Sequence, residues 1–109
     1  MRLETGTHNA IITSCDRQGS VDGNPHYSIE FTTYYDDGTR KTQTKKMVFG
    51  GRFNHVADSA FKIDTDLAGN TRYIRSKFMK KKVTLNVVER EVDKWIYYNV
   101  SRFYFREDE

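Results

Sequence analysis

Residues 27–49 constrain the fold more than any other stretch of the chain. They read Tyr-Ser-Ile-Glu-Phe-Thr-Thr-Tyr-Tyr, then Asp-Asp-Gly-Thr, then Arg-Lys-Thr-Gln-Thr-Lys-Lys-Met-Val-Phe. Tyr27, Ile29, Phe31 and Thr33 share one parity, and Ser28, Glu30, Thr32 and Tyr34 share the other. Successive side chains of a strand point to opposite faces, so the alternation predicts a half-buried strand. Asp36-Asp37-Gly38-Thr39 is turn chemistry, because Gly accepts the positive φ of a tight reversal. A second β-prone run follows at once, which makes the stretch a long hairpin.

The rest of the chain supplies partners for that hairpin. Residues 6–15 read as a first strand, with His8, Ala10 and Ile12 on one face and Ile11 and Thr13 on the other. Residues 16–26 hold Gly19, Gly23 and Pro25, the only proline, and are expected to be a loop. After Gly50-Gly51, the apolar residues Phe53, Val56, Ala57, Ala60 and Phe61 recur at helical spacing. Residues 63–70 read as a loop. Residues 71–79 read as a short helical turn with Ile74 and Phe78 on one side. Residues 81–89 alternate again, with Val83, Leu85 and Val87 on one face. A polar connection over 90–94 leads to an aromatic strand over 95–105.

The expected fold is therefore all-β with one helix, in the order β-β-β-α-β-β. A five-stranded OB-fold barrel, with the helix between its third and fourth strands, has this order. Closure also explains how so short a chain avoids exposed sheet edges. A β-grasp-like or open α+β sheet is the alternative. With 109 residues the chain is read as one domain over 1–106, followed by a short acidic end at 107–109.

Charge is unevenly placed. Residues 61–90 hold eight Lys and Arg against three Asp and Glu, whereas residues 91–109 hold three against five. A basic middle between acidic ends points to a polyanionic partner more strongly than the net charge of +3 does. Fifteen aromatics argue against disorder in a chain this polar. There is no membrane-length apolar run and no signal-peptide core, so a cytoplasmic location is expected, with no membrane partner.

Little points to catalysis, so the chain is read as a non-enzyme without cofactor or metal. His8, His26 and His55 are scattered, and Cys15 stands alone. Asp64-Thr65-Asp66-Leu67-Ala68-Gly69 imitates the start of a calcium loop, but position twelve is Arg75 where a bidentate Glu is needed. Gly50-Gly51 is no Walker loop, since no Gly-Lys-Ser/Thr follows it, and a strand-to-helix corner explains it.

Cations interleaved with aromatics are the stronger signal. A single strand is held by phosphate neutralisation and by base stacking on rings. In an OB-fold the ligand face is the outer side of strands two and three, flanked by the loops after strands one and four. The candidate nucleic-acid-binding residues are Tyr34, Tyr35, Arg40, Lys41, Lys45 and Lys46 from the hairpin. Arg52, Lys80 and Lys82 extend the cationic set, and Trp95 and Tyr97 open the last strand. The ligand class is single-stranded DNA, with RNA as an alternative. A second copy of the chain, or a replication or host protein, is the further partner class this surface admits.

In pattern, the chain resembles the small OB-fold single-stranded DNA-binding proteins of bacteriophages. Gly6-x-His8-x-Ala10-x-Ile12 looks like their opening strand. Lys81-Lys82-Val83-Thr84-Leu85-Asn86-Val87, a polar link, and Trp95-Ile96-Tyr97-Tyr98-Asn99-Val100 look like their closing hairpin. The resemblance implies a non-enzymatic role in phage-type DNA replication or recombination, in the cytoplasm of a host cell. Two positions depart from the pattern. Only Glu107-Asp108-Glu109 stands where many such proteins carry a long acidic tail, and Lys80 stands where related chains often have Gly.

Overall fold

The computed structural model describes residues 3–49 and 63–106. They form one five-stranded antiparallel sheet with one short α-helix among the described residues. The elements are β1 (Gly6–Val21), β2 (Asn24–Tyr34), β3 (Arg40–Val48), a 3-10 turn (Thr65–Leu67), α1 (Thr71–Phe78), β4 (Lys82–Val92) and β5 (Trp95–Phe105). The spatial order is β3-β2-β1-β4-β5. The helix expected from Phe53, Val56, Ala57, Ala60 and Phe61 lies outside the described residues, as do the corner Gly50-Gly51, Arg52 and the acidic end.

Two expectations need correction. Residues 16–26 are not a loop. β1 runs on to Val21 and pairs with β2 as far as Val21↔Asn24, leaving only Asp22-Gly23 to turn. Both turn residues have positive φ, 51° and 80°, as a two-residue hairpin turn demands. Gly19 and Pro25 look like loop residues but are accommodated within the ladder. Gly19, at φ 118°, sits at a register shift after Arg17, and the Pro25 carbonyl accepts the Phe49 N–H at 3.0 Å. The polar connection is also shorter than residues 90–94. Arg90–Val92 continue β4, and the turn is Asp93-Lys94 alone, again with both φ positive.

The expected core parities hold over most of their length. Tyr27, Ile29 and Phe31 of β2 are buried, as are Val83, Leu85 and Val87 of β4. The β2 pattern breaks at its end, where Thr32 is buried and Thr33 only half-buried. A bulge in β1 is the cause. Thr13 is the extra residue between the Ile12↔Phe31 and Ser14↔Glu30 pairs, and its hydroxyl meets that of Thr32 at 2.8 Å. A second bulge, at Ser101, resets β5 so that both Val100 and Phe103 face inward.

Aromatic rings join the layers of the core. Phe31 meets Phe103 at 5.1 Å between centroids, Tyr27 meets Phe49 at 5.6 Å, and Phe49 meets Phe78 at 5.7 Å. Phe78 and Ile74 are the inward face of α1, as their spacing predicts. The Asn70 side chain caps this helix by accepting the Tyr73 N–H at 3.1 Å. The buried Tyr27 hydroxyl donates to the Ala68 carbonyl at 2.7 Å, which ties the turn before the helix to β2. After the helix, the Lys80 N–H donates to the Ile12 carbonyl at 2.8 Å and the Ile12 N–H donates to the Lys81 carbonyl at 3.0 Å.

The edges of the sheet are β3 and β5. Every pairing in the sheet is antiparallel, so β3 and β5 both run in the direction of β1 and are parallel to each other. No backbone ladder joins them among the described residues. Two β3 side chains bridge the gap instead. Gln43 donates to the Tyr98 carbonyl at 2.7 Å, and Lys45 donates to the Val100 carbonyl at 2.8 Å.

Candidate nucleic-acid interface

These two bridges fix the relative register of β3 and β5. Gln43 meets Tyr98 and Lys45 meets Val100, so the strands advance together. Continued towards their first residues, that register sets Trp95 level with Arg40. Arg40 is itself paired with Tyr34. The tip of the β2–β3 hairpin and the start of β5 therefore share one end of the sheet.

Parity decides which side chains face out. On β3, Met47 is buried, so Gln43, Lys45 and Lys41 point towards the core side, and Arg40, Thr42, Thr44 and Lys46 point away from it. On β5, Tyr98 packs against the core, while Trp95 is 70% exposed and Tyr97 is 50% exposed. Tyr34 is 57% exposed at the end of β2. The outward face at this end thus carries Tyr34, Arg40, Trp95 and Tyr97, and Arg90 stands directly across from Tyr97. Beside it, Thr42, Gln43, Thr44, Ile96, Tyr97 and Tyr98 line an open groove of about 630 Å³ between the two edge strands.

The four hairpin cations do not act alike. Arg40 and Lys46 are exposed on the outer face. Lys41 is half-buried, 3.7 Å from Glu4 and 5.8 Å from the centre of the Tyr35 ring. Lys45 is committed to the Val100 carbonyl, and burial pushes its pKa down. The amide oxygen of Gln43 beside it is buried with no hydrogen-bond partner among the described residues. The turn behaves as its residues predict. Asp37 accepts from both the Thr39 hydroxyl and the Thr39 N–H, and these bonds lower its pKa.

The later cations divide in the same way. Arg75 donates to the Cys15 carbonyl at 2.8 Å and pairs with Asp16 at 3.1 Å, so it holds α1 to β1. Lys77 lies over the Tyr73 ring. Lys80 and Lys82 are exposed. Lys80 has φ 64°, the conformation that Gly adopts most easily, at the position where the resemblance leads one to expect Gly.

Sequence reasoning missed Arg90, Arg102 and Tyr104 as surface groups. Arg90 was absorbed into a connection, although the alternation Val88, Arg90, Val92 continues the outward parity of β4. Arg102 and Tyr104 follow once Phe103 is known to be inside, and the Arg102 guanidinium donates to the Tyr104 hydroxyl at 3.0 Å.

Other chemistry finds no support among the described residues. No cluster of three or more His, Cys, Asp and Glu side chains is arranged to hold a metal. Cys15 is buried, and burial pushes its thiol up to about 11, far from a reactive thiolate. His8 donates to the Glu4 carbonyl at 2.6 Å and is satisfied there. No described helix is long and apolar enough to cross a membrane. The chain matches no protein-family model and no curated protein sequence.

Proposed function

We propose that this protein is an OB-type barrel, partly open between β3 and β5, that binds single-stranded DNA without sequence preference and without catalysis. The barrel reading is supported by the strand order and by the parallel edges that Gln43 and Lys45 bridge. The binding reading rests on one observation above the rest, the exposed rings of Trp95, Tyr97 and Tyr34 beside Arg40 and Arg90 on one outward face. Exposed rings are costly to leave in water unless something covers them. Bases stack on them at about 1–3 kcal/mol each, and the cations neutralise the flanking phosphates. The process served would be phage-type DNA replication or recombination, in the cytoplasm of a host cell.

The test is direct. Oligo-dT added at low salt should quench Trp95 fluorescence, and the affinity should fall steeply as salt rises. Unchanged fluorescence and no mobility shift with single-stranded DNA would overturn the proposal. RNA and duplex DNA in the same assay establish the preferred ligand.

A protein partner is the second reading. Val92 and Ile96 are exposed apolar groups in the same hairpin, and neither is suited to phosphate or base stacking. A complex with a replication or host protein that survives nuclease, in a chain with no affinity for oligo-dT, would favour it.

A further inference from the structure

We infer that the bound strand does not stop at Trp95 and Tyr97 but runs the length of β5 to a second stacking site built by Tyr104, Arg102 and Lys82. This rests on the single-strand reading above and extends it to residues at the far end of the strand.

The geometry begins with the bulge at Ser101. Without it, alternation from Trp95 would carry the outward parity to residue 103. With one extra residue, Phe103 turns inward against Phe31, and Arg102 and Tyr104 join Trp95, Tyr97 and Asn99 on the outer side. The bulge thus realigns a single face along the strand. Tyr104 is 48% exposed, and its hydroxyl accepts from Arg102, which sets the guanidinium beside the ring. Across the ladder, Thr84 faces Tyr104 and Asn86 faces Arg102. Lys82 is exposed with the same outward parity on β4, and its neighbour on β1 is Ile11.

Charge supports the same path. The outward positions around Tyr104 are Lys82, Thr84, Asn86 and Arg102, which carry two cations and no carboxylate. Lys81, just outside this face, lies 5.8 Å from the centre of the Phe105 ring. At about 3.3 Å per residue, Trp95 and Tyr104 stand about 30 Å apart along the strand. A ligand long enough to reach both ends gains a second stack and further phosphate contacts. A ligand that covers one end gains neither.

Oligonucleotide length therefore separates this inference from the reading it rests on. Anisotropy of dye-labelled oligo-dT would be measured for the wild type and for Arg102→Ala/Tyr104→Ala, with oligonucleotides of about 12 and about 4 nucleotides, within the range of OB-fold site sizes. The double variant should bind the longer strand about tenfold more weakly, with a shallower salt slope, and bind the shorter one as the wild type does. Tyr104→Phe should retain wild-type affinity, because the ring does the stacking. Equal affinity of wild type and double variant for the longer strand would overturn the second site while leaving the first intact. A tenfold loss in Tyr104→Phe would overturn the stacking role. If the wild type binds neither oligonucleotide, the function reading fails and this inference fails with it. Both side chains are exposed, so a thermal melt close to that of the wild type is expected as the folding control.

Discussion

The β2–β3 and β4–β5 hairpins contain the same kinds of residue and use them differently. In β2–β3, β2 lies between β1 and β3, and the inward-facing cations are consumed by structure. Lys45 is spent on the Val100 carbonyl, and Lys41 is shared between Glu4 and the Tyr35 ring. In β4–β5, β1 pairing stops at Gly6↔Val87, and among the described residues the ribbon from Val88↔Asn99 to Val92↔Trp95 has no third strand paired to it through the backbone, only the Gln43 side chain reaching the Tyr98 carbonyl. Trp95 and Tyr97 are left exposed. The face of its strand that a side chain occupies, more than residue type, decides whether an aromatic or a cation is available to a ligand. Under the proposed function, the β4–β5 ribbon carries the stacking energy and the β2–β3 hairpin forms the floor.

The largest expected effect tests that division. Trp95→Ala should lower oligo-dT affinity by about 2–3 kcal/mol and Tyr34→Ala by about 1 kcal/mol, with the melting temperature unchanged in both. Anisotropy titration at fixed salt measures the two side by side. A loss for Tyr34→Ala equal to or greater than that for Trp95→Ala would reverse the assignment of roles.

A smaller effect separates two adjacent lysines. Lys45→Met should destabilise the fold by about 1 kcal/mol, the net worth of one hydrogen bond, and leave the salt slope of binding unchanged. Lys46→Ala should leave stability unchanged and reduce the salt slope by about one. Urea unfolding and salt titration of both variants read this out. Lys45 also makes a pH prediction. Its folded pKa lies below its unfolded value because burial penalises the charge, so in the window just below the unfolded value the unfolded chain binds more protons. Stability should therefore rise with pH through that window in the wild type relative to Lys45→Met. A difference that falls with pH would mean that the ammonium is better stabilised in the fold than in water.

How much of this was legible in the sequence follows from which interactions are local. The alternations of Tyr27, Ile29, Phe31 and of Val83, Leu85, Val87 need only period two, and both predicted their buried faces. The last strand was placed at its observed limits because its aromatic and β-branched run is uninterrupted. The β1–β2 turn was misplaced because Gly19 and Pro25 are loop residues in most settings, and only the partner strand makes them part of a ladder. The site was legible as a set of residue types. Its division was not, because the engagement of Lys45 with Val100 spans 55 residues of sequence and depends on how the edge strands meet. The bulges at Thr13 and Ser101 were likewise invisible, since each is a property of a pair of strands.

The two hairpins differ, finally, in how their turns reach positive φ, and this gives the smallest prediction. The β2–β3 turn reaches positive φ at Gly38, 87°, while the β1–β2 turn before it pairs Asp22 with Gly23, at 51° and 80°. The β4–β5 turn uses no glycine, with Asp93 and Lys94 at φ 50° and 71°, and Lys80 just before β4 lies at 64°. A side chain in this region clashes with its own backbone at about 1–2 kcal/mol, a cost Gly escapes while losing more entropy on folding. Lys80→Gly should thus stabilise the protein by about 0.5–1 kcal/mol, and Lys94→Gly by a similar amount, since Asp-Gly is a favoured two-residue hairpin turn. If Lys80 contacts phosphate, as its place among the candidate cations of the sequence implies, the first variant gains stability while losing affinity and about one unit of salt slope. Thermal melts and salt titrations of the two variants test this together. Stabilisation without loss of affinity in Lys80→Gly would remove Lys80 from the binding surface and leave its strained conformation without a functional reason.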